Sequence, residues 1–196
     1  EHEQRHVQRG EHRDHRPDLL AQLEAGLVGG GDLAGLVAEQ RFATSRDGTR
    51  VPYFVVRRKG LTGPAILYGY GGFENSQLPG YSGGIGMGWL AAGGVWVSAN
   101  IRGGGEYGPQ WHTQAQRAGR HLAFEDFAAV ATDLVRRGIT TPAQLGCLGG
   151  SNGGLLTGNM VTQYPELFGR VGAFSPSLWL AADHGVPLHT DAVQAL

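Results

Sequence analysis

The chain has 196 residues, of which 41% are hydrophobic, with a net charge of -1 at pH 7 and a single cysteine. Such a nearly neutral chain lacks the basic field of nucleic-acid-binding proteins, and its lone Cys147 cannot form an internal disulfide. No run of about 18 apolar residues is present to span a membrane. We therefore expect a globular protein with neither a nucleic-acid nor a membrane partner. The charged start, which lacks a signal-peptide pattern, predicts a cytoplasmic location.

The first segment differs in composition from the rest of the chain. Residues 1–16 hold one apolar side chain among many charged ones, so we expect disorder there. A leucine-rich helical face follows at residues 19–27 and ends in three glycines. We place the domain boundary near residue 38, with an atypical, largely disordered segment and a short helix before it. Four histidines of this segment have helix-compatible spacings for a metal, although a solvated tail is the simpler interpretation: His2, His6, His12 and His15.

From residue 39 onward, strand and helix patterns alternate. An Asp47-Gly48 turn between two short apolar runs predicts a β-hairpin. We expect strands at residues 41–45, 51–57, 64–70, 94–99, 145–148 and 171–174, and helices at residues 86–92, 124–137 and 155–163. A hairpin followed by this alternation predicts an α/β fold with a mostly parallel sheet flanked by helices.

A serine lies at the junction between one predicted strand and the next predicted helix. Residues 149–153 read Gly-Gly-Ser-Asn-Gly, which is the strand, sharp turn and helix context of a nucleophile elbow. The neighbouring glycines remove side chains that would clash in such a turn. Because the chain contains 34 glycines, a glycine-rich turn without chemistry is the alternative. The flanking strand and helix favour the elbow, with Ser151 as an activated serine.

Two other glycine motifs follow predicted strands. Residues 103–108 fit the dinucleotide pattern G-x-G-x-x-G, but Pro109 falls where the helix of that motif would already be running. We therefore predict no dinucleotide site, and no metal or organic cofactor. Residues 70–73 read Tyr-Gly-Gly-Phe, at a position where an elbow hydrolase needs an oxyanion donor. The phenol of Tyr70 can act as a neutral donor to a developing oxyanion.

Three segments together resemble the prolyl oligopeptidase family of serine peptidases. They read YGYGGF at residues 68–73, NIRGGGEYG at residues 100–108 and GGSNGGLL at residues 149–156, in this order and spacing. The similarity extends from about residue 39 to about residue 170. It implies that residues 39–196 form a partial α/β-hydrolase peptidase domain.

The resemblance also implies roles for individual residues. Ser151 would be the nucleophile, and the amide of Asn152 and the hydroxyl of Tyr70 would form the oxyanion hole. Phe73 would help to line the apolar pocket for the residue before the scissile bond. Asparagine at position 152 resembles the prolyl-specific branch, so the implied activity is hydrolysis of short proline-containing peptides through an acyl-enzyme, without a cofactor.

The chain departs from the family pattern after Gly169. In this fold the triad acid and histidine follow the serine on loops after later strands, and each further βα unit needs roughly 30 residues. Only 21 residues follow Ser175, so we expect a sheet truncated after the strand that follows the elbow, and no triad Asp or His. A non-catalytic fragment and a general esterase of the same fold are the alternatives. Four downstream residues could substitute for the missing pair: Asp183, His184, His189 and Asp191.

Overall fold

A computed structural model describes residues 35–78, residue 80 and residues 82–176. The predicted disordered segment, its short helix and its four histidines lie outside the described residues. So do the four downstream acids and histidines. The first described strand begins at Leu36, close to the boundary placed near residue 38, and the division into two segments stays a prediction.

Six strands form one sheet within the described ranges, in the order β1-β2-β4-β3-β5-β6. They are β1 (Leu36–Thr44), β2 (Arg50–Arg58), β3 (Ala65–Gly69), β4 (Val95–Ala99), β5 (Leu145–Gly150) and β6 (Arg170–Phe174). Strand β2 pairs antiparallel with β1 and with β4. Strands β4, β3, β5 and β6 run parallel. The predicted hairpin and the predicted mostly parallel sheet are therefore confirmed.

The helices are α1 (Pro109–Thr113), α2 (His121–Arg136) and α3 (Asn152–Gln163), with short 3-10 turns at Arg117–Arg120 and Pro142–Gln144. Helices α2 and α3 lie where the sequence predicts them, but α3 starts at Asn152, directly after the serine. The helix predicted over residues 86–92 is a π-helical turn, Ile85–Leu90, that contains two glycines. Helix α1 was not expected; Pro109 begins it, because proline suits the first helical position.

One face of the sheet is buried under α2 and α3. The inward positions of β3, β4 and β5 alternate with partly exposed ones, as expected when a single face packs on the core. Cys147 on β5 is 2% exposed, and burial raises the pKa of its thiol to about 12. On the opposite face, Tyr68 and Trp96 stack with ring centroids 5.7 Å apart.

A buried arginine connects three parts of the fold. Arg102, which follows β4, is 1% exposed and donates to both carboxylate oxygens of Asp126 on α2, at 2.9 and 2.6 Å. It also donates to Asp47, in the turn between β1 and β2, at 2.5 Å. Hydrogen bonds from Arg102 to the two carboxylates outweigh burial and raise the pKa of the guanidinium. This network fixes the loop that continues from Arg102 into the glycines after β4.

We expect the Asp47 contact to make stability depend on pH in acid. The hydrogen bond from Arg102 lowers the pKa of Asp47 from its ordinary 3.8 to about 2. The pKa of Asp47 is thus lower in the folded state than in the unfolded state. The stabilisation is therefore fully present when the pH is above the unfolded-state pKa, and it is lost as the pH falls through the folded-state pKa. Urea midpoints of the wild type and of Asp47→Asn should therefore converge as the pH falls from about 4 to about 2. A difference that stays constant over this window would contradict the assignment.

Candidate active site

Ser151 lies between the end of β5 and the start of α3, with φ 53° and ψ -116°. This backbone conformation is strained for a residue other than glycine, and such strain persists only when the surroundings fix it. The backbone N–H of Ser151 donates to the carbonyl of Phe174 on β6 at 2.9 Å. Its own carbonyl accepts from Leu155 of α3 at 3.2 Å. The exposed serine is thus held in a strained turn by a strand on one side and a helix on the other.

Three of the four glycines beside Ser151 are required for packing. A Cβ atom at Gly149 would lie 2.0 Å from the carbonyl oxygen of Gly153, and one at Gly153 would lie 2.5 Å from a backbone oxygen of β3. At Gly154 the nearest atom would be a backbone carbon at 2.9 Å. Gly150 differs, because its nearest neighbour would be 3.7 Å away, an ordinary contact distance. The sequence pattern had treated all four glycines alike.

The loop after β3 approaches the start of α3 through the side chain of Asn152. The Nδ2 group of Asn152 donates to the carbonyl oxygen of Tyr70 at 2.7 Å, and the side chain is almost fully buried. Gly72 packs on the same carboxamide, and a Cβ atom there would overlap Nδ2. As the first residue of α3, Asn152 also places its backbone N–H among the helix-terminal donors that have no partner within the helix. The Asn152 side chain therefore contacts the backbone of Tyr70, and the role of the two residues in an oxyanion hole stays a prediction.

Phe73 is held outward at the rim of a pocket. Its φ is 53° and its side chain is 63% exposed, which is unusual for a large aromatic residue. The pocket has a volume of about 290 Å³ and combines apolar with cationic or neutral polar side chains. None of the described residues that line it carries a carboxylate. They are Gly72, Phe73, Gly103, His112, Ala115, Gln116, Arg117, Arg120, Asn152 and Leu155.

His112 on α1 holds the glycine loop that follows β4. Its Nδ1 lies 2.7 Å from the carbonyl oxygen of Gly103, and its Nε2 lies 2.8 Å from Nε2 of Gln116. The backbone N–H of Glu74 also approaches Nδ1, at 3.0 Å. Both ring nitrogens are thus engaged in fixing the wall of the pocket. His112 lies near the end of this short helix.

Arg120 is the site residue that sequence reasoning missed. Its Nη1 donates to the carbonyl oxygen of Gly71, and its Nη2 donates to Oδ1 of Asn152 at 3.2 Å. The glycine pair after β3 predicts that some group approaches the backbone closely. It does not indicate which one, and Arg120 lies 49 residues further along the chain.

The described part of the chain contains no group of three or more His, Cys, Asp or Glu side chains that could hold a metal ion. Nor does any helix described here have the length and apolar character needed to cross a membrane.

Residues 85–187 match the prolyl oligopeptidase family of peptidases. The chain belongs to the prolyl oligopeptidase family. An uncharacterized peptidase of Sinorhizobium fredii is 49% identical to it in an alignment of 144 residues, with a coverage of 71% of this chain and 20% of that protein. The family assignment made from the three motifs is confirmed.

Solved structures of the prolyl oligopeptidase family share the fold. A post-proline cleaving enzyme from Rickettsia typhi matches with a TM-score of 0.72 and 48% identity, over 74% of this chain and 22% of that one. A second match is prolyl oligopeptidase B from Galerina marginata, bound to a 35mer hydrolysis and macrocyclization substrate. It has a TM-score of 0.66 and 35% identity, over 72% of this chain and 21% of that one. The predicted α/β-hydrolase architecture is confirmed. The chain spans about a fifth of the length of these relatives.

Proposed function

We propose that Ser151 is the nucleophile of a serine peptidase of prolyl oligopeptidase type. In this mechanism the Ser151 oxygen attacks a peptide carbonyl while its proton passes to a base. The base gives this proton to the leaving amine, and water then hydrolyses the acyl-enzyme. The observation that carries the proposal is the strained backbone of Ser151, at φ 53° and ψ -116°, held between β5 and α3. A turn without a function has no need of such strain.

The proposed oxyanion hole consists of the backbone N–H of Asn152 and the hydroxyl of Tyr70. Two observations support it: Asn152 begins α3, and its side chain fixes the backbone of Tyr70 through the 2.7 Å hydrogen bond. Donors that are held in place before the reaction stabilise the developing charge without reorganisation. Removing one such donor typically lowers kcat by about 10²–10³-fold.

The proposed substrates are short proline-containing peptides that are cleaved after proline. Phe73 offers an exposed aromatic surface beside Asn152, where an apolar ring could pack. The relative from Rickettsia typhi is named a post-proline cleaving enzyme, and the relative from Galerina marginata was solved with a peptide substrate. No metal or organic cofactor takes part in the proposed chemistry, and a cytoplasmic location stays a prediction from sequence.

The proposed mechanism needs a base and an acid partner, which in this fold follow the serine in the chain. His184 or His189, with Asp183 or Asp191, have the correct order after the serine. A second chain or segment that supplies the pair is the alternative. Without a base, binding and the oxyanion hole alone leave a rate on the order of 10³ to 10⁴ over water in an intact site. A chain without the pair would therefore be a non-catalytic fragment in practice.

The test is labelling of the full chain by a fluorophosphonate probe, with Ser151→Ala as the control. We expect stoichiometric labelling that disappears in Ser151→Ala, together with cleavage of a fluorogenic Gly-Pro peptide. Labelling that persists in the variant would refute Ser151 as the nucleophile. A folded chain that is never labelled would identify the non-catalytic fragment. Ester hydrolysis without peptide cleavage would identify a general esterase.

A further inference from the structure

Arg120 connects the two halves of the proposed site. One terminal nitrogen of its guanidinium binds the Gly71 carbonyl, in the loop after β3. The other binds the Asn152 side chain, at the start of α3. Asn152 in turn binds the carbonyl of Tyr70. These three hydrogen bonds form one chain of contacts from Arg120 to the carbonyl oxygens of two consecutive peptide groups, one on each side of the Gly71 Cα.

The hydrogen bond to Gly71 also determines where the next N–H group points. A trans peptide unit is planar, so the carbonyl of Gly71 and the N–H of Gly72 point in opposite directions. Cis peptide bonds are absent from the described residues. Holding the oxygen of Gly71 against Arg120 therefore fixes the orientation of the Gly72 N–H as well. The Gly72 backbone also packs directly on the Asn152 side chain, so no free space is left between these two residues.

The charge of Arg120 is not needed to satisfy its two acceptors. Both are uncharged oxygen atoms, and a neutral amide could also donate to them. Arg102 provides the comparison, since it is buried against the carboxylates of Asp126 and Asp47. Arg120 forms no ion pair with any described residue, and its ring contact is with Phe124, 5.3 Å from the ring centroid. Burial without a carboxylate lowers the pKa of Arg120 to about 10.

We propose that Arg120 is a positioning residue of this site, which orients the Tyr70–Gly72 loop and maintains a positive charge beside the oxyanion hole. The inference rests on the proposed function, because a cation without a carboxylate partner is useful where negative charge develops. Arg120 does not donate to the oxyanion itself. It acts through the Gly71 carbonyl and through Asn152, whose contacts place the Tyr70 backbone.

Two substitutions separate the charge of Arg120 from its hydrogen bonds. Arg120→Gln keeps a donor and removes the charge, whereas Arg120→Lys keeps the charge and removes the forked geometry. Arg136→Gln is the control, because it removes one arginine from the exposed side of α2, away from the site. Arg120→Met serves as a second uncharged variant if the glutamine variant does not fold, as judged by circular dichroism.

The first measurement is the rate constant for labelling of Ser151 by a fluorophosphonate in the full chain. We expect Arg120→Gln to lower it by about tenfold to hundredfold, less than the loss of about 10²–10³-fold that follows removal of a direct donor. Arg120→Lys should restore most of the rate, and Arg136→Gln should match the wild type. Equal losses in the lysine and glutamine variants, or no loss in either, would overturn the role of the charge.

The second measurement does not depend on an active nucleophile. The carbonyl carbon of Gly71 should change its chemical shift in Arg120→Gln and not in Arg136→Gln, as measured by triple-resonance NMR on the 20.8 kDa chain. If the wild type is never labelled, the proposed function fails and this shift still decides the positioning role. An unchanged Gly71 resonance would overturn the inference even in a chain that is labelled.

Discussion

The Asp126→Asn variant is expected to lose about 3 to 5 kcal/mol of unfolding free energy, which is the usual cost of removing one partner of a buried ion pair. Asp126 is fully buried and accepts three hydrogen bonds from Arg102. The backbone N–H of Arg102 donates one of them, and the guanidinium of Arg102 donates the other two. Asparagine keeps the shape but removes the charge, so Arg102 retains only Asp47 as a carboxylate partner. The loss should therefore fall near the lower end of that range.

Urea unfolding followed by circular dichroism measures this loss, with Arg136→Gln as the matched control. Arg136 also pairs with a carboxylate on α2, but its side chain is 69% exposed, so its removal should cost less than about 1 kcal/mol. The double variant Arg102→Met, Asp126→Ala should lose less unfolding free energy than the single variants Arg102→Met and Asp126→Ala lose together. The reason is that the double variant leaves no unpaired buried charge. A loss below about 1 kcal/mol in Asp126→Asn would contradict the structural role of the pair.

Gly149→Ala is expected to disrupt the elbow, whereas Gly150→Ala is expected to leave it in place. The new methyl group at Gly149 would overlap the backbone of Gly153, which cannot move without displacing the first turn of α3. Overpacking of this kind typically costs about 1 to 3 kcal/mol. A shift of about 1 Å in a reacting group can lower the rate by about 10²-fold, so labelling of Ser151 should fall to a similar extent.

Gly150→Ala is the matched control for this experiment. Gly149 and Gly150 are adjacent on β5, and neither has a positive φ, so the two substitutions differ only in the space available. Alanine at Gly150 should change the unfolding free energy by no more than about 0.5 kcal/mol. The urea midpoint and the labelling rate are measured for both variants. Similar behaviour of the two would show that the contact between Gly149 and Gly153 does not determine the geometry of the elbow.

The sequence predicted the local elements because their patterns are local. Short apolar runs located β3, β4 and β5, and the apolar face of α2 located that helix. The same pattern failed for residues 86–92, where Gly86 and Gly88 weaken an α-helix and a π-helical turn forms instead. The order of the strands is not encoded in any one segment. That order is known only from the folded chain.

The candidate site was predictable where a motif marks it and not where a distant side chain completes it. Ser151, Asn152 and Tyr70 stand next to glycines whose spacing has a structural reason. Arg120 is one of several arginines in a polar stretch, where exposure is the ordinary expectation. Its partners lie 32 and 49 residues away, and only the folded chain brings them within hydrogen-bond distance.

The burial of Cys147 provides an internal reporter of motion at the elbow. Thiol reagents react with the thiolate, and a pKa near 12 keeps that form scarce at neutral pH while the core is closed. Modification therefore has to wait until strand β5 separates from the core and exposes the sulfur. Since the chain has no other cysteine, the rate of its modification measures how often this strand opens, at reagent concentrations where modification is faster than reclosing. The same strand ends at Ser151, so that rate gives the lifetime of the intact elbow without an introduced label.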